Sequence, residues 1–299
     1  MSNPLTILVT GATGKQGGAV ARELLARGHN VRALTRDPQS EPARTLATDG
    51  ATVVAGDYEE PSAVESAGRG ADAVFVVATP YEASPEAEKR QATNAIEALR
   101  RAEVGHIVYT SVASADQKTR IPHFDSKRMV EERLQQLDGD YTIVGPVYFM
   151  ENLLAPWTLP QLREGRHAAA LPAGRPLQQI AVADVALFSV IVLERGRDFA
   201  GKRIDIASDE LTGAEVVKVL SETTGLPFEY AELPLDGVRA QNEDLARTFE
   251  WFDGVGYSAD IDGLRRDYPE VGWHRFPDWA REQDWAAVGV KSAGPTGGP

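Results

Sequence analysis

The chain contains no cysteine. That excludes disulfides, thiolate metal sites and a cysteine nucleophile, and it suits a reducing, cytoplasmic setting. No apolar run approaches the roughly 20 residues needed to cross a bilayer. The best of them, such as Ala71–Ala78, is broken within a few residues. No basic segment followed by an apolar one opens the sequence, so no secretory leader is expected. Positive charge is also scarce, with 31 Lys and Arg against 44 Asp and Glu and a formal net charge of −13. A surface that negative repels phosphate backbones and anionic lipid heads, so neither direct nucleic-acid binding nor a membrane partner is expected. The five histidines are scattered, without HExxH or any other ligand spacing, and no metal is expected.

What is present points to one class. The 299 residues suffice for a large domain, or a domain plus a smaller lobe, with a sizeable core. Short runs rich in Val, Ile and Tyr predict strands at Leu5–Thr10, Asn30–Thr35, Thr52–Ala55, Ala73–Ala78, His106–Ser111 and Tyr141–Val144. Several are continuously apolar, as strands buried on both faces should be. Helical periodicity fills the gaps at Gly14–Arg27, at Pro85–Ala102 (Ala92, Ala95, Ile96, Leu99) and at Pro122–Leu137 (Met129, Val130, Arg133, Leu134). Alternating strands and helices predict an α/β fold, a doubly wound parallel Rossmann sheet with a smaller, mostly helical C-terminal lobe. Residues 1–150 form the dinucleotide-type domain and 151–287 the smaller lobe, with the chain returning to the sheet around 177–208. After Gly145, prolines break the regularity; Val182–Glu194 and Gly213–Thr224 read as helices and Arg203–Ala207 as a strand. Leu226–Tyr230 reads as one more strand, and Val238–Phe252 and Asp262–Tyr268 as helical. The Gly/Pro/Ser/Ala-rich stretch 288–299 is expected to be disordered.

The first strand runs straight into Gly11-Ala12-Thr13-Gly14-Lys15-Gln16-Gly17-Gly18, and that into an amphipathic helix. Gly11 permits the tight turn, Gly14 lets backbone approach a pyrophosphate, and Gly17 lets helix pack on strand. The diphosphate then caps the helix N-terminus, where N–H groups and the positive dipole end converge. Such a glycine string is weak alone and gains force from the strand before it and the helix after it. The turn from Gly11 to Gly17, including Thr13, Lys15 and Gln16, is therefore the expected cofactor contact. Beyond the second strand Arg36 is the first charge met, which favours the 2′-phosphate of NADP(H), while Asp37 keeps NAD open. Asp57 and Tyr58 follow the third strand where an adenine edge would lie, although an Asp after a glycine is equally a turn former. Thr79 and Pro80 end the fourth strand and would border a ribose.

A GxxGxxG turn, a basic residue after the second strand and Ser111 closing the fifth resemble the short-chain dehydrogenases/reductases. Where that superfamily carries Tyr-x-x-x-Lys, this chain has His123-Phe124-Asp125-Ser126-Lys127, so the lysine is in place and the tyrosine position is histidine. With the glycine string, Pro146–Leu154 and Ile180–Val185, the chain resembles the NmrA-like atypical members of that superfamily from about Leu5 to Trp285. The resemblance implies a monomeric or homodimeric NADP(H)-binding protein with a small-molecule substrate, and it carries Lys127 and the Tyr148–Asn152 loop (Tyr148, Phe149, Asn152) over as cofactor contacts. Lys127 would hold a ribose and place positive charge near a developing oxyanion, His123 would donate the proton, and Ser111 would orient the substrate. Plain roles stay open beside these: a surface histidine, and a serine satisfying backbone at a strand end. The leading expectation is an NADPH-dependent oxidoreductase acting on a quinonoid or aromatic acceptor. Alternatives are an NADP(H)-sensing binding protein with little turnover, or an oxygen-using or isomerising enzyme on the same scaffold.

Overall fold

Strands that read as apolar runs can only sit where both faces are covered, and the computed structural model, which describes residues 3–79 and 84–290, places them there. In chain order the first elements are β1 (Thr6–Val9), α1 (Lys15–Ala26), β2 (Asn30–Thr35), α2 (Glu41–Thr48), β3 (Thr52–Ala55), α3 (Pro61–Gly68), β4 (Ala73–Val77), α4 (Pro85–Arg101), β5 (His106–Thr110), α5 (Pro122–Gln136) and β6 (Asp140–Pro146). Next come β7 (Tyr148–Phe149), α6 (Leu159–Arg163), β8 (Arg166–Ala169), β9 (Pro176–Ile180), α7 (Val182–Arg195) and β10 (Lys202–Ile206). The chain ends through β11 (Asp209–Thr212), α8 (Gly213–Thr224), β12 (Glu229–Glu232), α9 (Leu235–Gln241), α10 (Glu243–Gly254), α11 (Ile261–Asp267) and α12 (Phe276–Glu282). Among the described residues no helix is long and apolar enough to cross a membrane.

Two units emerge, one of residues 1–146 and 182–206, the other of 147–181 and 207–299. The first holds a seven-stranded sheet in the order β10-β6-β5-β4-β1-β2-β3, every pair parallel. The strand read at Arg203–Ala207 is thus a member of the main sheet, paired to β6 from Lys202↔Thr142 to Ile206↔Pro146. From β1 the chain steps outward to β2 and β3, then crosses to β4 on the other side of β1. The strand order reverses between those two, and the crevice beyond their carboxyl ends is where such sheets take ligands.

Local chemistry explains the helices that flank the sheet. Ser84 caps α4 by accepting the Ala87 N–H at 3.1 Å, Pro85 follows, and Arg100 and Arg101 end it near the negative dipole end. Its Ala92, Ala95, Ile96 and Leu99 are fully buried, with Leu8, Val74 and Ile107, in the core of this unit. On α5 the buried stripe is Phe124, Ser126, Lys127, Val130, Glu131 and Leu134, whereas Met129 turns to solvent at 39% exposure. The expected Met129–Val130–Arg133–Leu134 face is therefore rotated, and three polar side chains go inward.

The second unit carries a three-stranded sheet (β11-β9-β7) and a parallel pair (β12-β8). A capping box between Thr212 and Glu215 starts α8. Its core gathers Met150, Leu153, Leu162, Leu220, Phe276, Trp279 and Trp285. Val290 joins them at 2% exposure and the half-buried Val288 packs against them, so the disorder expected over 288–299 does not begin at 288. Residues 291–299 lie outside the described residues.

Candidate functional site

The turn after β1 is built from close backbone approaches. Gly11 has φ +55°, and a Cβ on Gly17 would stand 2.4 Å from the Gly11 carbonyl oxygen and 2.7 Å from that of Thr10. Helix α1 therefore starts directly on the turn. Gly14 is its N-cap in extended conformation, with no side chain capping it and no acidic residue in the first turn. Gly11, Thr13, Gly14 and Lys15 are exposed there. An uncapped helix start, positive by its dipole and reinforced by a lysine, fits a diphosphate.

Hydroxyl groups hold the turn against the sheet. Thr10 Oγ1 donates to the Phe75 carbonyl at 3.1 Å and accepts the Val77 N–H at 3.0 Å, tying β1 to β4 where the strand order reverses. The Tyr58 hydroxyl lies 2.5 Å from Thr10 Oγ1 and 2.9 Å from the Val77 carbonyl. Burial pushes that phenol's pKa up, and the hydroxyl braces strand ends. Gln16 Oε1 accepts from Thr110 Oγ1 at 2.9 Å, anchoring the first helical turn to β5.

At the end of β2, Arg36 and Asp37 are both exposed. The Asp37 carboxylate accepts the Gln39 N–H at 2.9 Å and its carbonyl accepts Ser40 Oγ at 2.8 Å, so this acid is engaged in shaping its own turn. Asp57 does the same, accepting the Glu59 N–H at 2.9 Å, which is the turn-forming alternative raised by its sequence. Thr79 is half-buried just past β4, and Pro80 lies outside the described residues.

Lys127 is buried at the carboxyl end of β4. Its Nζ donates to the Ala78 carbonyl at 3.1 Å, pairs with Glu88 Oε1 at 2.7 Å and lies 5.9 Å from the centre of the Tyr109 ring. Glu88 and Ser126, which donates to Glu88 Oε2 at 2.6 Å, were not singled out by sequence. One turn earlier His123 is half-buried, its ring edge-on to Phe124 at 4.8 Å. Ser111 belongs elsewhere. It is 4% exposed and donates to Glu131, which Arg203 also contacts at 2.9 Å. The hydroxyl expected to orient a substrate is committed to a buried ion pair.

Tyr148, Phe149 and Asn152 are in the second unit. Tyr148 and Phe149 form β7 beside Gln179 and Ile180 of β9, and the Asn152 carbonyl accepts Thr158 Oγ1 at 2.9 Å. Tyr148, Leu153, His167, Gln179, Tyr230 and Phe249 are among the residues lining a cavity of about 30 Å³ in this unit, room for one or two waters. His167 Nδ1 meets no partner among the described residues, and burial lowers its pKa to about 4. With the unfolded value near 6.5, the fold favours the neutral ring. That stability is present above pH ~6.5 and is lost as pH falls from there toward ~4. His167→Gln is expected to flatten this acid limb by about 3 kcal/mol in urea titrations at pH 7 and pH 4. Among the described residues no cluster of three or more His, Asp or Glu is placed to hold a metal.

A doubly wound parallel sheet with an open, uncapped glycine turn at its switch point defines the Rossmann class of α/β proteins. Within that class the chain belongs to the NmrA-like family, whose model matches residues 4–278. Among curated proteins it is 27% identical over 253 residues to photosystem II assembly factor Ycf39 of Synechocystis sp., covering 83% of this chain and 76% of that protein. It is 31% identical over 233 residues to an NAD(P)H azoreductase of Xenophilus azovorans, covering 77% and 78%. Among solved structures, the negative transcriptional regulator NmrA in complex with NADP superposes with a TM-score of 0.79 at 22% identity, over 95% of this chain and 100% of that one. The proteins this chain is similar to thus include both an NAD(P)H reductase and proteins named for regulation or assembly.

Proposed function

We propose that the chain binds NADP(H) on the α1 turn and delivers hydride to a small conjugated acceptor, quinonoid or aromatic. The observation that carries this reading is that the uncapped turn after β1 and the buried Lys127 ammonium both stand at the carboxyl ends of strands flanking the switch point. When bound, the reduced nicotinamide supplies the hydride. Gly11 to Gly17 hold the diphosphate, and Arg36 takes the 2′-phosphate, since the neighbouring Asp37 carboxylate is engaged by Gln39. Lys127 holds the ribose nearest β4, and the half-buried His123 gives the proton. The similarity to an azoreductase supports a flat, conjugated acceptor.

A second reading, a dinucleotide-responsive binding protein, is favoured by histidine standing where the superfamily's tyrosine acid would be. Both predict binding, and turnover separates them. Steady NADPH oxidation with a panel of quinones and azo dyes supports the reductase. Tight NADPH binding without oxidation of the cofactor by any acceptor favours the sensor. Arg36→Ala is expected to weaken NADPH by tenfold or more (~1.4 kcal/mol) and to leave NADH nearly unchanged. Equal losses for both, measured by fluorescence titration, count against the 2′-phosphate assignment.

A further inference from the structure

Glu88 has no solvent-exposed surface, although it sits in the first turn of α4, a segment rich in charged residues. Its two oxygens are engaged separately, Oε1 by the Lys127 ammonium at 2.7 Å and Oε2 by the Ser126 hydroxyl at 2.6 Å. The same ammonium is already held by the Ala78 carbonyl and faces the Tyr109 ring. A carbonyl and an aromatic face orient a lysine without changing the local charge. A carboxylate in contact with it does change the charge, bringing the pair to net zero. Burying a second ion is costly, so its sign is the property that distinguishes it from a neutral acceptor such as glutamine.

We propose that Glu88 is a positioning residue that cancels the charge of Lys127, and that it thereby sets the relative affinity of this site for oxidised and reduced dinucleotide. The inference rests on the NADP(H) reading above. At the nicotinamide ring the two redox forms differ by one positive charge. An ammonium standing alone beside that ring repels the oxidised form and not the reduced one. At short range in a partly buried site such a repulsion amounts to an order of magnitude or more in affinity. With Glu88 in contact, the ring meets an ion pair of no net charge, and the oxidised form is tolerated. The role is independent of turnover, so it applies whether the protein reduces an acceptor or only reports the cofactor's redox state.

The test is calorimetric titration of the full chain with NADP+ and with NADPH, comparing wild type, Glu88→Gln, Glu88→Asp and the double variant Glu88→Gln/Lys127→Met, with thermal melts alongside. Glu88→Gln keeps the shape and removes the charge, and is expected to raise the ratio of oxidised to reduced Kd about tenfold (~1.4 kcal/mol). Glu88→Asp keeps the charge and loosens the contact, and should stay within about threefold of wild type in that ratio. The double variant is again net neutral and should likewise return to within about threefold. Two dissociation constants that weaken in step in every variant, or a double variant whose ratio stays tenfold displaced, would overturn the proposal and leave Glu88 a structural residue. Should Glu88→Gln fail to fold, Lys127→Met alone decides: it leaves the carboxylate's charge uncancelled and is expected to lower the same ratio about tenfold, and an unchanged ratio would overturn the proposal. Wild type binding neither redox form overturns the dinucleotide reading itself, and this inference with it.

Discussion

Arg203→Met is expected to cost the first unit about 3–5 kcal/mol, the penalty for stranding the buried Glu131 and the half-buried Asp205 without their cation. The guanidinium lies in β10 and reaches Glu131 at 2.9 Å through Nε, the Val112 carbonyl at 2.9 Å through a second nitrogen, and Asp205 through the third. Asp205 in turn accepts the Ser114 N–H at 2.9 Å, and Ser111 donates to Glu131. Burial pushes both carboxyls above their usual range while Arg203 pulls them back, so removing the cation leaves the desolvation cost opposed only by the Ser111 hydroxyl and the Ser114 N–H. For a unit of this size the loss corresponds to a fall in Tm of roughly 6–20 °C. Amide exchange along β6 and β10 should rise before that of β1 and β2. Replacing Glu131 by Gln and Asp205 by Asn in the same chain should recover most of the loss, because the stranded charge goes too. A melt unchanged by Arg203→Met would show that the network contributes nothing net.

Gly17→Ala is expected to weaken dinucleotide binding by about 100-fold or more. The added methyl would stand 2.4 Å from one backbone oxygen and 2.7 Å from another, neither on a movable side chain. Helix α1 must then lift from the turn, and its first N–H groups leave the position a diphosphate needs. Losing two charge-assisted hydrogen bonds at about 1.5–3 kcal/mol each accounts for that magnitude. Calorimetry with NADPH is the measurement. Wild-type affinity in a folded Gly17→Ala chain would mean the phosphate groups are held elsewhere.

Some of this was legible in the sequence because it is local. The six strands from β1 to β6 are short runs bounded by turns, and the glycine turn lies between an apolar strand and an amphipathic helix. Helices α2 and α3 passed unread: at eight residues each they bury two side chains (Ala43 and Leu46; Val64 and Ala67), too few to show a period. The return of the chain to the sheet was expected around 177–208, but which strand Lys202–Ile206 would join, β6 more than fifty residues away, is something no local pattern encodes. Buried polar groups were the hardest. Glu88 looks like one more solvated acid, and Ser111 looks available, because the partners that occupy them, Lys127 and Glu131, are brought close only by the fold. A signal was present on α5: Lys127, Val130, Glu131 and Leu134 fall at i, i+3, i+4 and i+7, the spacing of a single inward stripe.

Because the polypeptide leaves the first unit after Pro146 and comes back for Val182–Ile206, that unit is assembled from two separate stretches of chain. Helix α7, with ten of its fourteen residues buried, and the last strand of the sheet are both supplied by the later stretch. A ribosome that has made only residues 1–146 has therefore made a sheet whose β6 ends in an open row of N–H and C=O groups, an invitation to pair with another molecule. Cutting the gene at that point should give an insoluble fragment, and during synthesis β6 stays an unpaired edge until Ile206 has emerged.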